Sequence, residues 1–78
     1  MAKEKNQITS KKIKIFRTRI GYSQSELAKA VGLASRQAIK FYEMGTRTPS
    51  NEILLKFVQL AKRYGSKDIN SIQWFYDI

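Results

Sequence analysis

Four side chains with hydrogen-bonding or aromatic groups lie within six consecutive residues: Arg36, Gln37, Lys40 and Phe41. At about 100° per residue they share one arc of a helix, opposite an apolar arc. Arginine pairs with guanine and glutamine with adenine, and an apolar ring can contact the thymine methyl group, all in the DNA major groove. An ordinary surface helix with one polar face shows the same pattern, so the arc alone leaves both interpretations open.

Helix signals on either side of this arc predict two helices joined by a tight turn. Ser23 is the predicted N-cap of a helix over residues 24–31, and a glutamate three residues on stands at the capping-box position. Gly32 ends this helix, because glycine adopts the left-handed conformation at little cost. Ser35 caps the second helix, residues 35–44, which carries the arc.

Apolar spacing predicts three further helices and therefore an all-α fold. Ser10 is a fair N-cap for a helix over residues 11–20. Residues 51–64 follow a proline and show a wide apolar face, as expected of the central helix of the core. Residues 71–76 suit a short last helix, although their period-two alternation also admits a terminal strand. The prediction is a compact five-helix domain.

The charge is the strongest feature of the composition. Fifteen Lys and Arg against six Asp and Glu give a net charge of +9 and a pI of about 10.1. Such an excess indicates a partner that carries phosphates, although an anionic membrane, an acidic protein or solubility alone would also suit it. We expect residues 1–9 to form a flexible basic arm and residues 10–78 to form one domain.

Several function classes are disfavoured by what the sequence lacks. It contains no His and no Cys, the residues most used as general base, nucleophile and zinc ligand. It also shows no phosphate-cradling glycine loop and no apolar run of membrane-spanning length. We therefore expect a cytoplasmic protein that is not an enzyme, with no metal, no cofactor and no membrane partner.

The two predicted helices and their turn resemble the helix-turn-helix of the Cro and phage-repressor family, also called the XRE family. The similarity extends upstream over residues 13–17, downstream over 53–57, and to a short last helix at 71–75. The matching residues of the central run are Ser23, Gln24, Leu27, Ala28, Gly32, Ser35, Arg36, Ile39, Glu43, Gly45, Arg47 and Pro49.

The sequence departs from the family pattern at the turn. Three residues, rather than the usual two, lead from the turn glycine to the cap of the second helix, counting the cap: Leu33, Ala34 and Ser35. The extra residue bears on the tilt of that helix. The base-reading positions are therefore less closely specified by the resemblance than the fold is.

The resemblance also implies roles for individual side chains. It implies an ion pair between Arg17 and Glu43 that ties the first helix to the end of the recognition helix. A solvated or phosphate-facing Arg17 is the alternative. In the family, the residue at the Gln24 position braces the side chain that starts the recognition helix.

A second group of polar residues suits the sugar-phosphate backbone. Gln24 opens its helix at the positive end of the dipole, where N–H groups favour phosphate, and Ser35 caps the N-terminus of the next helix. Thr46, Arg47 and Thr48 form a loop with hydroxyls, amides and one guanidinium. Such contacts position a protein on DNA without reading its sequence.

The C-terminal tail is rich in aromatic residues for so small a domain. Aromatic residues are enriched at interfaces, so Trp74, Phe75, Tyr76 and Ile78 are a candidate dimer surface. The alternative is that they complete the core of the monomer.

These observations predict a sequence-specific double-stranded-DNA-binding transcriptional regulator of the repressor type, acting as a homodimer on an inverted repeat. One alternative is an antitoxin-type protein that also binds a second protein through its tail. Another is a basic module that either binds nucleic acid without sequence preference or binds RNA.

Overall fold

The computed structural model describes residues 2–76, with side chains from Thr9 onward. This part of the chain holds no strand. Of the two alternatives for the C-terminal tail, a short helix or a strand, the structure shows a helical turn. None of its helices is long and apolar enough to cross a membrane. The elements in chain order are α1 Ala2–Arg19, α2 Gln24–Ala30, α3 Arg36–Met44, α4 Asn51–Arg63 and a terminal 3₁₀ helix Ile72–Phe75. The predicted all-α class is confirmed.

The start of α1 differs from the prediction. The helix begins at Ala2, so Ser10 is an interior residue and not an N-cap. No glycine or proline interrupts residues 2–10, and Ala, Lys, Glu and Gln favour helix, so nothing stops the helix from extending. Thr9 and Ser10 are both buried. That residues 1–9 form a flexible basic arm stays a prediction.

A left-handed glycine follows each of the four α-helices, with φ between 76° and 79°. At the turn between α2 and α3, Gly32 reverses the chain, and the Leu33 amide donates to the Ala28 carbonyl at 2.8 Å. This six-residue closure satisfies a carbonyl at the end of α2. The predicted role of Gly32 as the stop signal is thereby confirmed.

Three phenylalanines form the centre of the core. The ring centroids of Phe16 and Phe57 are 5.3 Å apart, and Phe75 lies 5.8 Å from both. The tail therefore packs against α1 and α4. The other buried apolar residues are Ile13, Leu27, Ala28, Val31, Ile39, Leu54, Val58, Leu60, Ala61 and Ile69.

Candidate nucleic-acid interface

Helix α3 separates an apolar face from a polar face, as predicted. Ile39 is fully buried, and it anchors the inner face in the core. Arg36, Gln37 and Lys40 are exposed on the outer face, and Phe41 is half-buried beside them. The structure thus places all four predicted base-reading residues on one side of α3, with three side chains open to solvent.

The helix before the turn has the predicted capping box. The Glu26 amide donates to the Ser23 hydroxyl at 3.1 Å, and the Ser23 amide donates to the Glu26 carboxylate at 2.8 Å. Hydrogen bonds from the amide and then the hydroxyl of Ser23 hold the pKa of Glu26 below its ordinary value. This fixes the first turn of α2, where Gln24 stands.

Ser35 does not act as the predicted side-chain cap of α3. Its backbone has the extended conformation of an N-cap, but its hydroxyl accepts no capping hydrogen bond. The residue is exposed, so the hydroxyl stays available to another partner. A phosphate at the N-terminus of α3 would be such a partner, because the helix dipole favours an anion there.

A partly buried ion pair ties the C-terminal end of α3 to α1. Arg17 Nε donates to Glu43 Oε2 at 2.5 Å, and Arg17 Nη2 donates to Oε1 at 3.2 Å. The side chains are only 14% and 7% exposed. The third nitrogen, Nη1, donates to the Tyr22 carbonyl at 2.8 Å. A bidentate pair of this kind specifies geometry, so it orients α3 relative to α1.

Gln24 belongs to this network, which corrects the bracing role implied for it. Its Nε2 donates to Glu43 Oε1 at 3.2 Å, so it braces the end of α3 and not the side chain that starts it. The amide nitrogen carries a second hydrogen, and the residue is half-buried. A phosphate contact by Gln24 remains compatible with this geometry.

The loop after α3 is folded back onto the helix. The amides of Thr46 and Arg47 both donate to the Phe41 carbonyl, at 3.0 and 3.3 Å. These two amides are therefore engaged within the chain, so the predicted phosphate contacts of the loop depend on its side chains. The side chains of Thr46, Arg47 and Thr48 are exposed. The Arg47 guanidinium lies 5.2 Å from the centre of the Phe41 ring, which joins one predicted phosphate-binding residue to one predicted base-reading residue.

The electrostatics of this face are positive. Arg36, Lys40 and Arg47 are exposed cations on α3 and the following loop. Glu43 is the acid of α3, and its charge is neutralised by Arg17. The face thus suits a polyanion.

The predicted dimer surface in the tail is largely engaged within the monomer. Phe75 is wrong as an interface residue, because it is fully buried between α1 and α4. Trp74 is half-buried, with Lys12 Nζ 4.3 Å and the Arg19 guanidinium 5.6 Å from its ring centre. Tyr76 is half-buried and has a partner of its own. Ile78 lies outside the described residues.

Two features of the site gave no sequence signal. The Tyr22 carbonyl is an acceptor for Arg17, and no side-chain pattern marks a backbone acceptor. The Tyr22 hydroxyl also shares a hydrogen bond of 2.7 Å with Tyr64, which raises the pKa of Tyr22. The Arg17–Tyr22 contact is local, across the turn that ends α1, whereas the Tyr22–Tyr64 contact joins residues that only the tertiary fold brings together.

Comparison with known proteins agrees with this geometry. The family model for helix-turn-helix proteins of the XRE type matches residues 13–65, about two thirds of the chain, from α1 to the end of α4. In searches of curated proteins and of solved structures, nothing matched the chain. On the family match, the chain belongs to the XRE-type helix-turn-helix family of DNA-binding regulators.

Proposed function

We propose that the protein is a sequence-specific regulator of the repressor type, which inserts α3 into the major groove and binds an inverted repeat as a homodimer. The observation that carries the proposal is the exposed row of Arg36, Gln37 and Lys40 on a helix whose opposite face is anchored by fully buried Ile39. A helix anchored in this way can present fixed side chains to base edges.

The exposed residues divide into two roles under this proposal. Arg36, Gln37, Lys40 and Phe41 contact base edges. The remaining polar groups hold the sugar-phosphate backbone, so they add affinity without sequence preference. They are Gln24, Ser35, Thr46, Arg47 and Thr48.

The size of the chain supports a dimer. Its longest dimension is 32 Å. Successive major-groove half-sites on one face of B-DNA lie about 34 Å apart, so one chain covers one half-site. Two chains related by a two-fold axis would read an inverted repeat. The antitoxin alternative has less support, because the tail aromatics it relies on pack within the monomer.

Selection of bound sequences from a random duplex pool tests the proposal. It is done near physiological salt, and the selected complex is then sized. We expect a short inverted repeat bound by two chains, with half-sites separated by a whole number of helical turns. Enrichment of no motif, with binding that disappears as salt rises, would show that charge alone drives binding and would reject the proposal.

A further inference from the structure

Four exposed side chains form a stripe along the outer face of α4. Glu52, Leu55, Gln59 and Lys62 are spaced three, four and three residues apart, so they lie within an arc of about 80°. Leu55 is 50% exposed, and it is the apolar member of the stripe. A groove of about 600 Å³ is lined by the stripe and by Ile72 of the tail.

The spacing of the stripe is the same read from either end, and its two ends carry opposite charges, Glu52 at one and Lys62 at the other. Its midpoint is at position 57, five residues from both Glu52 and Lys62. A second α4 laid antiparallel across that midpoint would place Glu52 of each copy opposite Lys62 of the other. At 1.5 Å per residue, the two Leu55 side chains would lie within about 6 Å of each other along the helix axis.

We propose that a second copy of this chain packs on this stripe with its α4 antiparallel, and that the stripe is the dimer surface. The proposal rests on the homodimer of the proposed function and names its interface. In the part of the chain that the structure describes, neither Glu52 nor Lys62 has an ion-pair partner. A parallel arrangement would oppose like charges at both ends, so charge complementarity selects the antiparallel one.

The arrangement also has the anatomy of an interface. Leu55 and the apolar part of the groove form a centre, and the charged residues lie at its two ends. The helix dipole of α4 gives a competing account of the charges, because Glu52 is in the first turn and Lys62 in the last. The dipole does not account for the exposed Leu55. The two accounts also predict different results when charge-reversed chains are mixed.

The test uses Glu52→Lys and Lys62→Glu, made singly, combined in one chain, and mixed as two single variants. Dimerisation is measured by sedimentation without DNA. Each single variant makes both symmetry-related pairs repulsive, so its dimer dissociation constant should rise on the order of tenfold or more. The mixture should form heterodimers with near wild-type affinity, because both pairs become Glu–Lys again. The doubly substituted chain should also recover.

A dipole effect cannot be rescued by mixing, so an equal weakening in the single variants and in their mixture would overturn the proposal. A wild-type chain that stays monomeric at all concentrations would overturn it too. Leu55→Ser should weaken the dimer, whereas Ile15→Ser, at a similarly exposed residue of α1, should leave it unchanged. The reverse result would place the interface on α1.

Binding to a duplex with one half-site separates this inference from the proposed function. Single variants that no longer dimerise but still bind the half-site support both. If the wild-type chain recognises no motif, but the sedimentation results are those predicted for the stripe, the regulator role is rejected and the interface is retained. If the chain recognises a motif, but substitutions in the stripe do not change its dimerisation, only the interface is rejected.

Discussion

The two longest helices of the described domain after α1 are both amphipathic, yet they are held in different ways. Helix α4 buries five apolar residues, whereas α3 buries Ile39 alone. The C-terminal end of α3 is fixed by hydrogen bonds to Glu43 from Arg17 and Gln24. Helix α3 leaves a polar face exposed and has few apolar contacts to hold it, and polar contacts at its C-terminal end supply the remaining restraint.

The largest expected effect is a loss of stability when a buried residue at the centre of α4 is truncated. Phe57→Ala should lower the free energy of unfolding by about 3–5 kcal/mol, because it leaves a cavity among three packed phenylalanine rings. Urea denaturation at low protein concentration measures the loss. Leu55→Ala, at an exposed neighbour on the same helix, is the matched control and should change the stability little. Similar losses in both variants would contradict the assignment of the core.

A smaller effect is expected at the polar end of α3. Glu43→Ala leaves the Arg17 guanidinium largely buried without its carboxylate, so we expect about 2–3 kcal/mol of lost stability. The variant should also discriminate less well between a selected duplex and a scrambled one, because α3 is no longer fixed at that end. Denaturation and anisotropy titration measure the two effects.

The second arginine pair of α1 provides the control for Glu43→Ala. Arg19 donates to both oxygens of Asp68 at 2.8 and 2.9 Å, but that pair is exposed. Asp68→Ala should therefore cost much less stability and should not alter DNA discrimination. If the two variants behave alike, the Arg17–Glu43 pair does not orient α3.

In the loop after α3, the predicted effect is on salt dependence. Arg47→Ala should weaken binding to all duplexes alike and should reduce the slope of log affinity against log salt by about one unit. Arg47→Lys keeps the charge, so its slope should stay near that of the wild type. The Arg47 guanidinium packs over Phe41. A change of sequence preference in Arg47→Ala would therefore show that base recognition and phosphate binding are not carried by separate residues here.

The smallest predicted effect is the pH dependence of the exposed pair. Hydrogen bonds from Arg19 hold the pKa of Asp68 below its ordinary value. A depressed folded-state pKa gives stability that is present above the unfolded value, about 3.9, and is lost as pH falls through the folded value. The stability difference between wild type and Asp68→Asn should thus be constant near neutrality and shrink in acid. A difference that grows in acid would contradict the sign.

Much of the fold could be predicted from local signals in the sequence. Glycines, capping residues and apolar periods specify the ends of α2, α3 and α4 to within one residue. The burial of Ile39 follows from the period of α3. These features depend on residues that are neighbours in the sequence, so a single sequence is enough to predict them.

The features that were missed depend on tertiary contacts. Ile69 is an isolated apolar residue among polar ones, and its full burial follows only from the path of the tail. Phe75 could equally have been an interface residue, because no period distinguishes a core ring from a surface ring in four residues. The partner of Gln24 is likewise a residue of another helix.

The central claim is that the outer face of α3 reads sequence, and one measurement tests it most directly. Random-pool selection is repeated with Gln37→Ala and Arg36→Ala, with Lys29→Ala, an exposed cation of α2, as the control. Each α3 variant should lose about 1–3 kcal/mol of affinity and relax the preference at one base step of each half-site, while Lys29→Ala selects the wild-type motif. If both α3 variants select the unchanged motif, α3 does not read the DNA.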